Sequence, residues 1–517
     1  MKRWIAILLT SLALILFIYP SAFIYPRDTL PDNNDTRLIA YIIGQVQQNL
    51  LKLQPLYYGT FFAPDQSTLA YSDLFLTSAI LTLPFRSVIT SPIAIFNLAL
   101  ILGFLLTILS SFLLFEYFLK DLWITTLAVL LFNFSGYHFH YLPHLQIFSL
   151  WPLFLSVYFF LRFQKENRPL FLTLFFCAST LQLAESIFPV YLIFFAVILL
   201  VIPTVVEESH STNVRSFHSL RSAKMTKYFL HFIPIWLFLL FPYYQLHTSL
   251  PEATRSIRDA AHFSLGLDQI FTQFHSWTLI TIFTITQIVE WIKAKKKSAA
   301  EGPAPYARFL RTSKRLFCFS IIMSLGPVLK IFGQNIRIFG LPIPLPYALF
   351  YYLFPGFTGF RTPSRFIILA LLAIVIIIGY QLKPIFEKLK TKTKFIILLL
   401  VLALLFLEAD LPLKGYPVNI NMHPVYQEVK KLPSEAVILE LPIKLWNMPD
   451  HEIESIRSLY TLEHNHRRFG GFSGFATNSW IGLVHLIDLY GLSPENLVRL
   501  RAIGITHVIE NNLLSPL

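Results

Sequence analysis

Long apolar stretches dominate the chain, and short polar segments separate them. A run of about 20 apolar residues is long enough to cross the ~30 Å hydrocarbon core of a bilayer as a helix. The pattern therefore predicts an α-helical polytopic membrane protein with about eleven transmembrane helices. These spans are expected near residues 4–25, 92–118, 122–136, 145–162, 169–185, 187–203, 228–243, 269–292, 316–333, 366–382 and 395–408.

The first apolar run has a competing interpretation. Pro20, Ser21 and Ala22 resemble a signal-peptide cleavage region, although the run is long for the apolar part of such a peptide. Under either interpretation, the residues that follow the run emerge on the outer side of the membrane.

Basic residues are concentrated in every second connection between the apolar runs. Because cytoplasmic loops of membrane proteins carry an excess of Lys and Arg, this alternation predicts a cytoplasmic N-terminus and a multi-pass protein of the cytoplasmic membrane. The basic connections lie at 119–121, 162–168, 204–227, 293–315 and 383–394. The extracytoplasmic regions are then 26–91, 137–144, 244–268, 334–365 and the tail from about residue 409.

The tail has a different pattern from the rest of the chain. It is too polar to enter lipid, and it alternates helix-like and strand-like segments, which predicts a small extracytoplasmic α/β domain at 409–517 after a membrane domain at 1–408. The expected elements are helices at 424–432 and 494–502 and strands at 436–441 and 506–510.

Composition supports the membrane class and excludes others. The chain is 55% hydrophobic and only 14% charged, which leaves too little polar surface for a soluble globule of 517 residues. Its net charge of +13 comes from residues in the basic connections, so no nucleic-acid partner is predicted. Cys177 and Cys318 lie inside apolar runs, so neither a disulfide framework nor a redox role is expected. No cofactor is predicted, and a divalent metal is left open.

Two aspartates stand out in the outer region 26–91. Asp35 precedes a segment at 37–53 whose apolar and polar residues fall on opposite faces, as in an amphipathic helix lying in the membrane interface. Asp73 precedes a further apolar helix at 74–85. Each aspartate could simply cap a helix. If the two meet in one cavity, they could instead serve as a base and an orienting group for attack by a hydroxyl.

Other candidates also fall on or near the outer face. His144 and Gln146, which follow His138 and His140, are candidates for substrate contact, and the histidine spacing does not favour a metal site. Arginine side chains suit a lipid phosphate, although they can also extend to ordinary headgroups. Glu185, at the outer end of a predicted span, is expected to face protein or water. The arginines considered are Arg255, Arg258, Arg361 and Arg365.

Taken in order, these segments resemble the YfhO-like bacterial membrane proteins, which are allied to GT-C-type glycosyltransferases. The likeness covers most of the chain and depends on the order of short motifs. Gly470 departs from the family, which tends to have Asn there. The matching residues are Asp35, Pro64, Ser72-Asp73, Phe96-Asn97, Phe134-Ser135, His144-Leu145-Gln146, Ser324 to Pro327, Ile343 to Tyr347, Arg361 to Phe366, His423 to Tyr426, Glu440 to Pro442, His464 and Gly471 to Phe475.

The resemblance implies a GT-C-like membrane domain and a catalytic aspartate in the first outer loop. Asp35 would be the catalytic base, and Asp73 a second catalytic candidate. Arg361, Arg365 and Arg255 would bind the phosphate of a polyprenyl-phosphate sugar donor embedded among membrane lipids. His144, Gln146 and Glu185 would contact substrate, and the acceptor would be a glycan or glycolipid of the cell envelope.

Two other functions remain open at this point. A lipid or polysaccharide transporter would use Glu185 and the arginines as a polar path through the bundle, but no pair of broken helices repeats in two halves of the chain. A non-catalytic envelope-assembly protein would use its tail to bind a polymer or a partner, and its aspartates would only cap helices.

Overall fold

The computed structural model describes residues 2–206, 214–296, 307–409, 411, 413–418 and 422–517. Within these ranges the protein is mostly helical, with ten short strands. Parts of the predicted basic connections, at 207–213 and 297–306, lie outside the described residues.

The helices of the N-terminal two thirds are α1 (Lys2–Ile18), α2 (Ser21–Ile24), α3 (Asp35–Lys52), α4 (Leu76–Thr82), α5 (Pro92–Leu119), α6 (Leu122–Asn133), α7 (Gly136–His140), α8 (Leu145–Phe148), α9 (Trp151–Glu166), α10 (Pro169–Glu185), α11 (Phe188–Val206), α12 (Val214–Ser249), α13 (Ile257–His262), α14 (Trp277–Lys296), α15 (Ala307–Ser324) and α16 (Pro346–Leu353). The later helices are α17 (Ile367–Lys388), α18 (Thr391–Glu408), α19 (Val425–Val429), α20 (Glu452–His464), α21 (Asn478–Tyr490) and α22 (Pro494–Ala502). The strands are β1 (Thr29–Leu30), β2 (Lys330–Ile331), β3 (Gln334–Asn335), β4 (Arg337–Ile338), β5 (Leu341–Pro342), β6 (Tyr416–Pro417), β7 (Val437–Glu440), β8 (Arg467–Arg468), β9 (His507–Glu510) and β10 (Leu513–Pro516).

In the described part of the chain, five helical segments are long and apolar enough to cross a membrane. The full count of about eleven spans stays a prediction. Shorter apolar helices lie at Leu76–Phe85, Pro169–Glu185 and Phe188–Leu200. The five long segments are Pro92–Leu119, Leu122–His140, Leu145–Glu166, Lys224–Ser249 and Pro363–Lys388.

The centre of the helical bundle is α17. Its residues from Ile367 to Gln381 are all buried, and it packs against α6 and α15. A helix that is apolar on every side is stable only when other helices or lipid surround it. The uninterrupted apolar sequence of α17 thus explains its central position.

The predicted span 316–333 is placed wrongly along the chain. Helix α15 ends at Ser324, and the residues after Leu329 form short strands. Gly326 has a positive φ of 71°, a conformation that commonly terminates helices, and Pro327 cannot continue the helical hydrogen bonding. The apolar residues after Gly326 and Pro327 led to a predicted span that is too long at its C-terminal end.

Two other predicted spans have different bounds. The expected helix at 269–292 begins only at Trp277, because 3-10 turns occupy the preceding residues. The expected span at 4–25 is divided near Pro20 into α1 and the short α2.

The predicted interfacial helix is present as α3, but protein covers both of its faces. The helix lies between α5 of the bundle and α20 of the tail. Gln45 and Asn49, which the sequence assigns to the polar face, are buried, and the Gln45 amide nitrogen donates to the Asn49 side-chain oxygen over 2.9 Å. Gly44 allows the close approach of α20, since a Cβ there would lie 2.7 Å from a methyl carbon of Leu462.

The tail contains a four-stranded mixed sheet with the order β10-β9-β7-β8. β7 pairs in parallel with β8 and β9, while β9 and β10 form an antiparallel hairpin. The predicted strands and the helix at 494–502 are present as β7, β9 and α22, whereas the helix expected at 424–432 is the shorter α19. Helices α20 and α21 are additional elements that the sequence interpretation missed.

The tail and the segment 26–91 are joined by direct hydrogen bonds. Arg468 N–H donates to the Thr60 carbonyl over 2.7 Å, and Ala63 N–H donates to the Arg468 carbonyl over 3.0 Å. β1 also pairs with β6, and one apolar core continues from the bundle helices into the tail. The segment 26–91 therefore connects the bundle to the tail.

Candidate functional site

Asp32, and not Asp35, caps helix α3. The Asp32 carboxylate accepts hydrogen bonds from the backbone N–H groups of Asn34 and Thr36, each over 3.0 Å, and from the Thr36 hydroxyl over 2.8 Å. A side-chain oxygen that accepts the free N–H groups at a helix start is the usual cap. Asp35 is the first residue of α3. Its carboxylate is therefore not needed for the capping role that its position suggested.

The Asp35 carboxylate instead faces His144. The His144 Nδ1 lies 3.4 Å from an Asp35 carboxylate oxygen, and about half of the Asp35 side chain is exposed. Burial lowers the pKa of His144 to about 4, and Arg365 adds to the fall, so the imidazole is neutral at pH 7. Desolvation raises the pKa of Asp35 above its usual value, Asp32 adds to the rise, and Arg361 and Arg365 oppose it.

Arg365 is the cation shared by this cluster. Its positive charge acts on Asp35, His144, Asp73 and Tyr141. The Arg365 Nε is buried and has no hydrogen-bond partner among the described residues. A buried donor left without a partner is costly, and such a group calls for an explanation such as a ligand or an ordered water.

Arg361 adds a second, more accessible positive charge. Its side chain is exposed, and its guanidinium carbon lies 5.2 Å from the ring centre of Phe263. Arg361 acts on both Asp35 and His144. The two predicted arginines at the start of the Pro363–Lys388 segment thus converge on the Asp35–His144 pair, where together they could neutralise an anionic group.

Asp73 reaches the same arginine from another element. It precedes α4 and is partly buried beside Ser186 and Ile187. Burial raises the pKa of the Asp73 carboxyl, while Ser186, Arg365 and the Ile187 N–H oppose the rise. Asp35 and Asp73 are thus linked through Arg365.

Glu185 has a different environment from that expected of a substrate contact. Its carboxylate accepts the Ser78 backbone N–H over 2.8 Å and the Ser78 hydroxyl over 2.6 Å, and its side chain is buried. Ser78 lies in the first turn of α4. Glu185 therefore serves α4 as a capping group supplied from α10.

Arg255 holds the tail against the segment 244–268. Its guanidinium donates to the Gly474 carbonyl and lies 5.8 Å from the ring centre of Phe475. A second link joins the Asn478 N–H to the Glu252 carboxylate over 2.8 Å. Arg255 is also close enough to Arg361 for the two charges to interact. Its predicted phosphate role would thus be combined with a structural one.

Gln146, His138 and His140 have environments different from that of His144. The Gln146 side-chain oxygen is buried with no hydrogen-bond partner in the described ranges. His138 is buried, and the exposed His140 stacks on His275 with ring centres 4.3 Å apart. Among the residues that the structure describes, no group of three or more His, Cys, Asp or Glu side chains could hold a metal ion.

Two residues that neighbour this site, Asp32 and Tyr141, were missed by sequence interpretation. Asp32 could have been recognised, because two acidic residues flank one helix start and only one needs to cap it. Tyr141 accepts a hydrogen bond from Gln273 over 3.4 Å, and burial raises the Tyr141 pKa while Arg365 opposes the rise. No local pattern signals that Tyr141 approaches Arg365, because the two residues lie far apart in sequence.

Comparison with known proteins adds no relative on which to base a function. No protein-family model matches the chain, and no curated protein matches it. Functional inference therefore depends on the geometry of the cluster formed by Asp35, Asp73, His144, Arg361 and Arg365, which we call the Arg365 cluster.

Proposed function

We propose that the protein is a membrane glycosyltransferase of the GT-C type, related to the YfhO-like proteins. It transfers a sugar from a polyprenyl-phosphate donor to a glycan or glycolipid acceptor of the cell envelope. In this proposal about eleven helices span the bacterial cytoplasmic membrane, the N-terminus is cytoplasmic, and the Arg365 cluster and the α/β tail are extracytoplasmic. The ordered motifs that carry the resemblance include Asp35, His144 and the segment from Arg361 to Phe366.

The observation that carries the proposal is the environment of Asp35. Asp32 performs the capping, which leaves the Asp35 carboxylate facing a neutral imidazole and two arginines. A general base works best when its pKa approaches the working pH. Desolvation moves the pKa of Asp35 in that direction, and the charges of Arg361 and Arg365 limit the rise.

The reaction follows from this arrangement. Asp35 takes the proton of an acceptor hydroxyl as the hydroxyl oxygen forms a bond to the anomeric carbon. The bond from the anomeric carbon to the phosphate oxygen breaks, and its electron pair leaves with the polyprenyl phosphate through an oxocarbenium-like transition state. Arg365 and Arg361 stabilise the negative charge of the departing phosphate.

His144 and Asp73 have supporting roles in this proposal. At 3.4 Å from Asp35, the neutral imidazole can orient the carboxylate toward the acceptor. The Asp73 carboxylate interacts electrostatically with Arg365 and would help to orient its guanidinium. Glu185 gives no support to a transport path, because its carboxylate is engaged by Ser78.

The proposal is tested by replacing Asp35, the proposed general base. Asp35→Asn keeps the size of the side chain but removes its ability to accept a proton, and loss of a general base lowers turnover by roughly 10²- to 10⁴-fold. The assay uses purified full-length protein, undecaprenyl phosphate carrying one radiolabelled hexose or pentose at a time, and envelope glycans as acceptors. Hydrogen exchange of α3 amides verifies that the variant is folded.

Asp28→Asn is the matched control. Asp28 belongs to the same outer segment, its side chain is exposed, and its carbonyl accepts the Val418 N–H, which the substitution leaves in place. This variant should transfer sugar at the unmodified rate. If Asp35→Asn transfers as fast as Asp28→Asn, Asp35 is not the base and the proposal loses its main support.

A further inference from the structure

Two short hairpins follow one another after α15, and their tips share one sequence. β2 pairs with β3 and β4 pairs with β5, and each turn is preceded by an isoleucine and consists of Phe-Gly. The φ angles are 48° and 76° at Phe332 and Gly333, and 51° and 80° at Phe339 and Gly340. Two-residue turns with both φ angles positive have the geometry of type I′ hairpin turns.

Phenylalanine is an unusual choice for the first position of such a turn. Asn, Asp and Gly are preferred there, because a bulky side chain is strained at positive φ. The β9–β10 hairpin of the same protein follows the preference, with Asn511 and Asn512 at φ values of 50° and 62°. The chain therefore places a large apolar residue twice at a position where local backbone energetics oppose it. Backbone strain at non-glycine residues with positive φ is concentrated at functional sites of proteins.

Both phenylalanines point away from the protein. Phe332 is 80% exposed and Phe339 is 100% exposed, and Leu341 beside them is 73% exposed. Such rings gain nothing from packing within the chain. Large apolar side chains that are this exposed, and that recur in neighbouring hairpins, are typical of a surface that contacts lipid or another molecule.

The base of the first hairpin is held firmly. The buried Lys330 ammonium donates to the carbonyls of Ala261 over 2.6 Å and Ser264 over 2.7 Å. The Phe332 N–H also donates to the Asp268 carboxylate over 2.8 Å. The exposed tip is thus presented by a fixed base.

The hairpins lie at one end of the helical bundle. They lie, together with α16, in the connection between α15 and the Pro363–Lys388 segment, and the ring centre of Phe319, near the end of α15, is 6.4 Å from that of Phe366. The end of α15 and the start of α17 are therefore neighbours. This is also the end at which Arg365 lies, so the hairpins are on the same side of the bundle as the Arg365 cluster.

We propose that the β2–β3 and β4–β5 hairpins form a lipid anchor. Phe332 and Phe339 insert into the membrane leaflet on the side of the Arg365 cluster. The bilayer is the occupant that the observations favour, because the hairpins lie at the end of a bundle that contains long apolar helices and because aromatic rings are favoured at the boundary between headgroups and acyl chains. The anchor is independent of glycosyl transfer and would be present whatever reaction the cluster performs.

A spin label reports the depth of the tip. In a Cys177→Ala, Cys318→Ala background, Phe339→Cys is labelled in the full-length chain reconstituted in vesicles of phosphatidylcholine with phosphatidylglycerol. The ratio of collisions with oxygen to collisions with a water-soluble nickel chelate should be at least about fivefold higher than for a label at Asn512→Cys, because oxygen concentrates in the apolar layer. Asn512 is the matched control, because it occupies the tip of the β9–β10 hairpin.

Either of two results would overturn the anchor. A collision ratio equal to that at Asn512 would place the tip in water. A label shielded from both oxygen and nickel would place it against protein, which would identify a protein-binding surface instead.

A second experiment tests whether the phenylalanines set the depth. Phe332→Asn with Phe339→Asn supplies the residue that the turn prefers, so both hairpins should persist. A label at the exposed Gln334→Cys should then move toward water, with its collision ratio falling severalfold relative to the same label beside intact phenylalanines. An unchanged ratio would show that the tips do not hold the hairpins in lipid.

Discussion

Two arginines of this protein have opposite environments. In the tail, Arg468 is 1% exposed and is paired with two buried carboxylates, those of Glu440 and Glu454. The Arg468 Nη2 lies 2.6 Å from Glu454, and the Tyr426 hydroxyl donates to Glu440 over 2.7 Å. In the bundle, Arg365 acts on several titratable side chains, yet its buried Nε has no partner in the described part of the chain.

The difference is in how completely each charge is paired within the fold. Burial alone would raise the pKa of Glu440, but Arg468 and Arg457 outweigh burial and hold the pKa below its usual value. That carboxylate is satisfied within the fold. At the Arg365 cluster, by contrast, the pKa of Asp35 is raised and a cationic donor is unused. Incomplete pairing of this kind is common at functional sites and rare in structural networks.

The largest expected effects come from removing each arginine. Arg468→Met leaves two buried carboxylates unpaired, which should lower the free energy of unfolding by about 3–5 kcal/mol. Arg365→Met should change stability far less but abolish most sugar transfer. Thermal unfolding and hydrogen exchange of β7 report stability, and the transfer assay reports function. If Arg365→Met destabilises the protein as much as Arg468→Met, the distinction between the two environments is wrong.

Gly470 lies beside the ion pairs that Arg468 forms with Glu440 and Glu454, and its replacement should have a smaller effect on stability. A Cβ at this position would lie 2.5 Å from both the Arg468 Nη2 and a Glu454 carboxylate oxygen. Gly470→Asn, which introduces the residue that the resembled family tends to have, should therefore cost about 1–3 kcal/mol of unfolding free energy through overpacking. Hydrogen exchange of the β7 backbone amides measures this loss of stability.

Gly482→Asn is the control for Gly470→Asn. A Cβ at Gly482 meets no atom within 4 Å, and the residue lies inside α21, where Asn is no worse than Gly. This variant should retain the unmodified stability. Equal stability of the two variants would mean that the Arg468 network tolerates an additional side chain.

The pH dependence of transfer tests the arginines of the cluster. The base is active when ionised, so activity should fall as the pH drops through the raised pKa of Asp35. Arg361 opposes the rise of that pKa. Arg361→Met should therefore raise the pKa further and move the acid limb of kcat/KM to higher pH.

Arg258→Met, which removes an exposed arginine of α13, is the control for this profile. The acid limb of the kcat/KM profile of this variant should coincide with that of the unmodified protein. If the acid limb of kcat/KM in Arg361→Met is unchanged or moves to lower pH, then the ionisation of Asp35 does not determine the pH dependence of transfer.

Much of the helical architecture could be predicted from sequence, because apolar length is a local property. The five long apolar segments and the position of Asp35 at a helix start were predicted in this way. The error at α15 arose because hydropathy was weighed above the Gly326-Pro327 stop signal. Local periodicity also correctly indicated a helix at 37–53, but it carries no information about what packs on the polar face of that helix.

The cluster itself was only partly predictable. Asp35, Asp73, His144 and both arginines were identified by residue type and position. Their convergence depends on contacts between distant segments, such as that of His144 with Asp35. The same limit explains why Arg468 was not singled out. Its two partners, Glu440 and Glu454, belong to separate elements that only the folded tail brings together.

The smallest expected effect concerns Glu185, which was predicted to contact substrate but whose carboxylate accepts two hydrogen bonds from Ser78. Glu185→Gln keeps one oxygen acceptor for the Ser78 N–H and loses the charge, so the free energy of unfolding should fall by only about 1 kcal/mol. Hydrogen exchange should show the loss in the amides of α4, whose first turn Glu185 caps. A raised KM with unchanged exchange of α4 would instead assign Glu185 to the same class as Arg365, as a charge that contacts substrate.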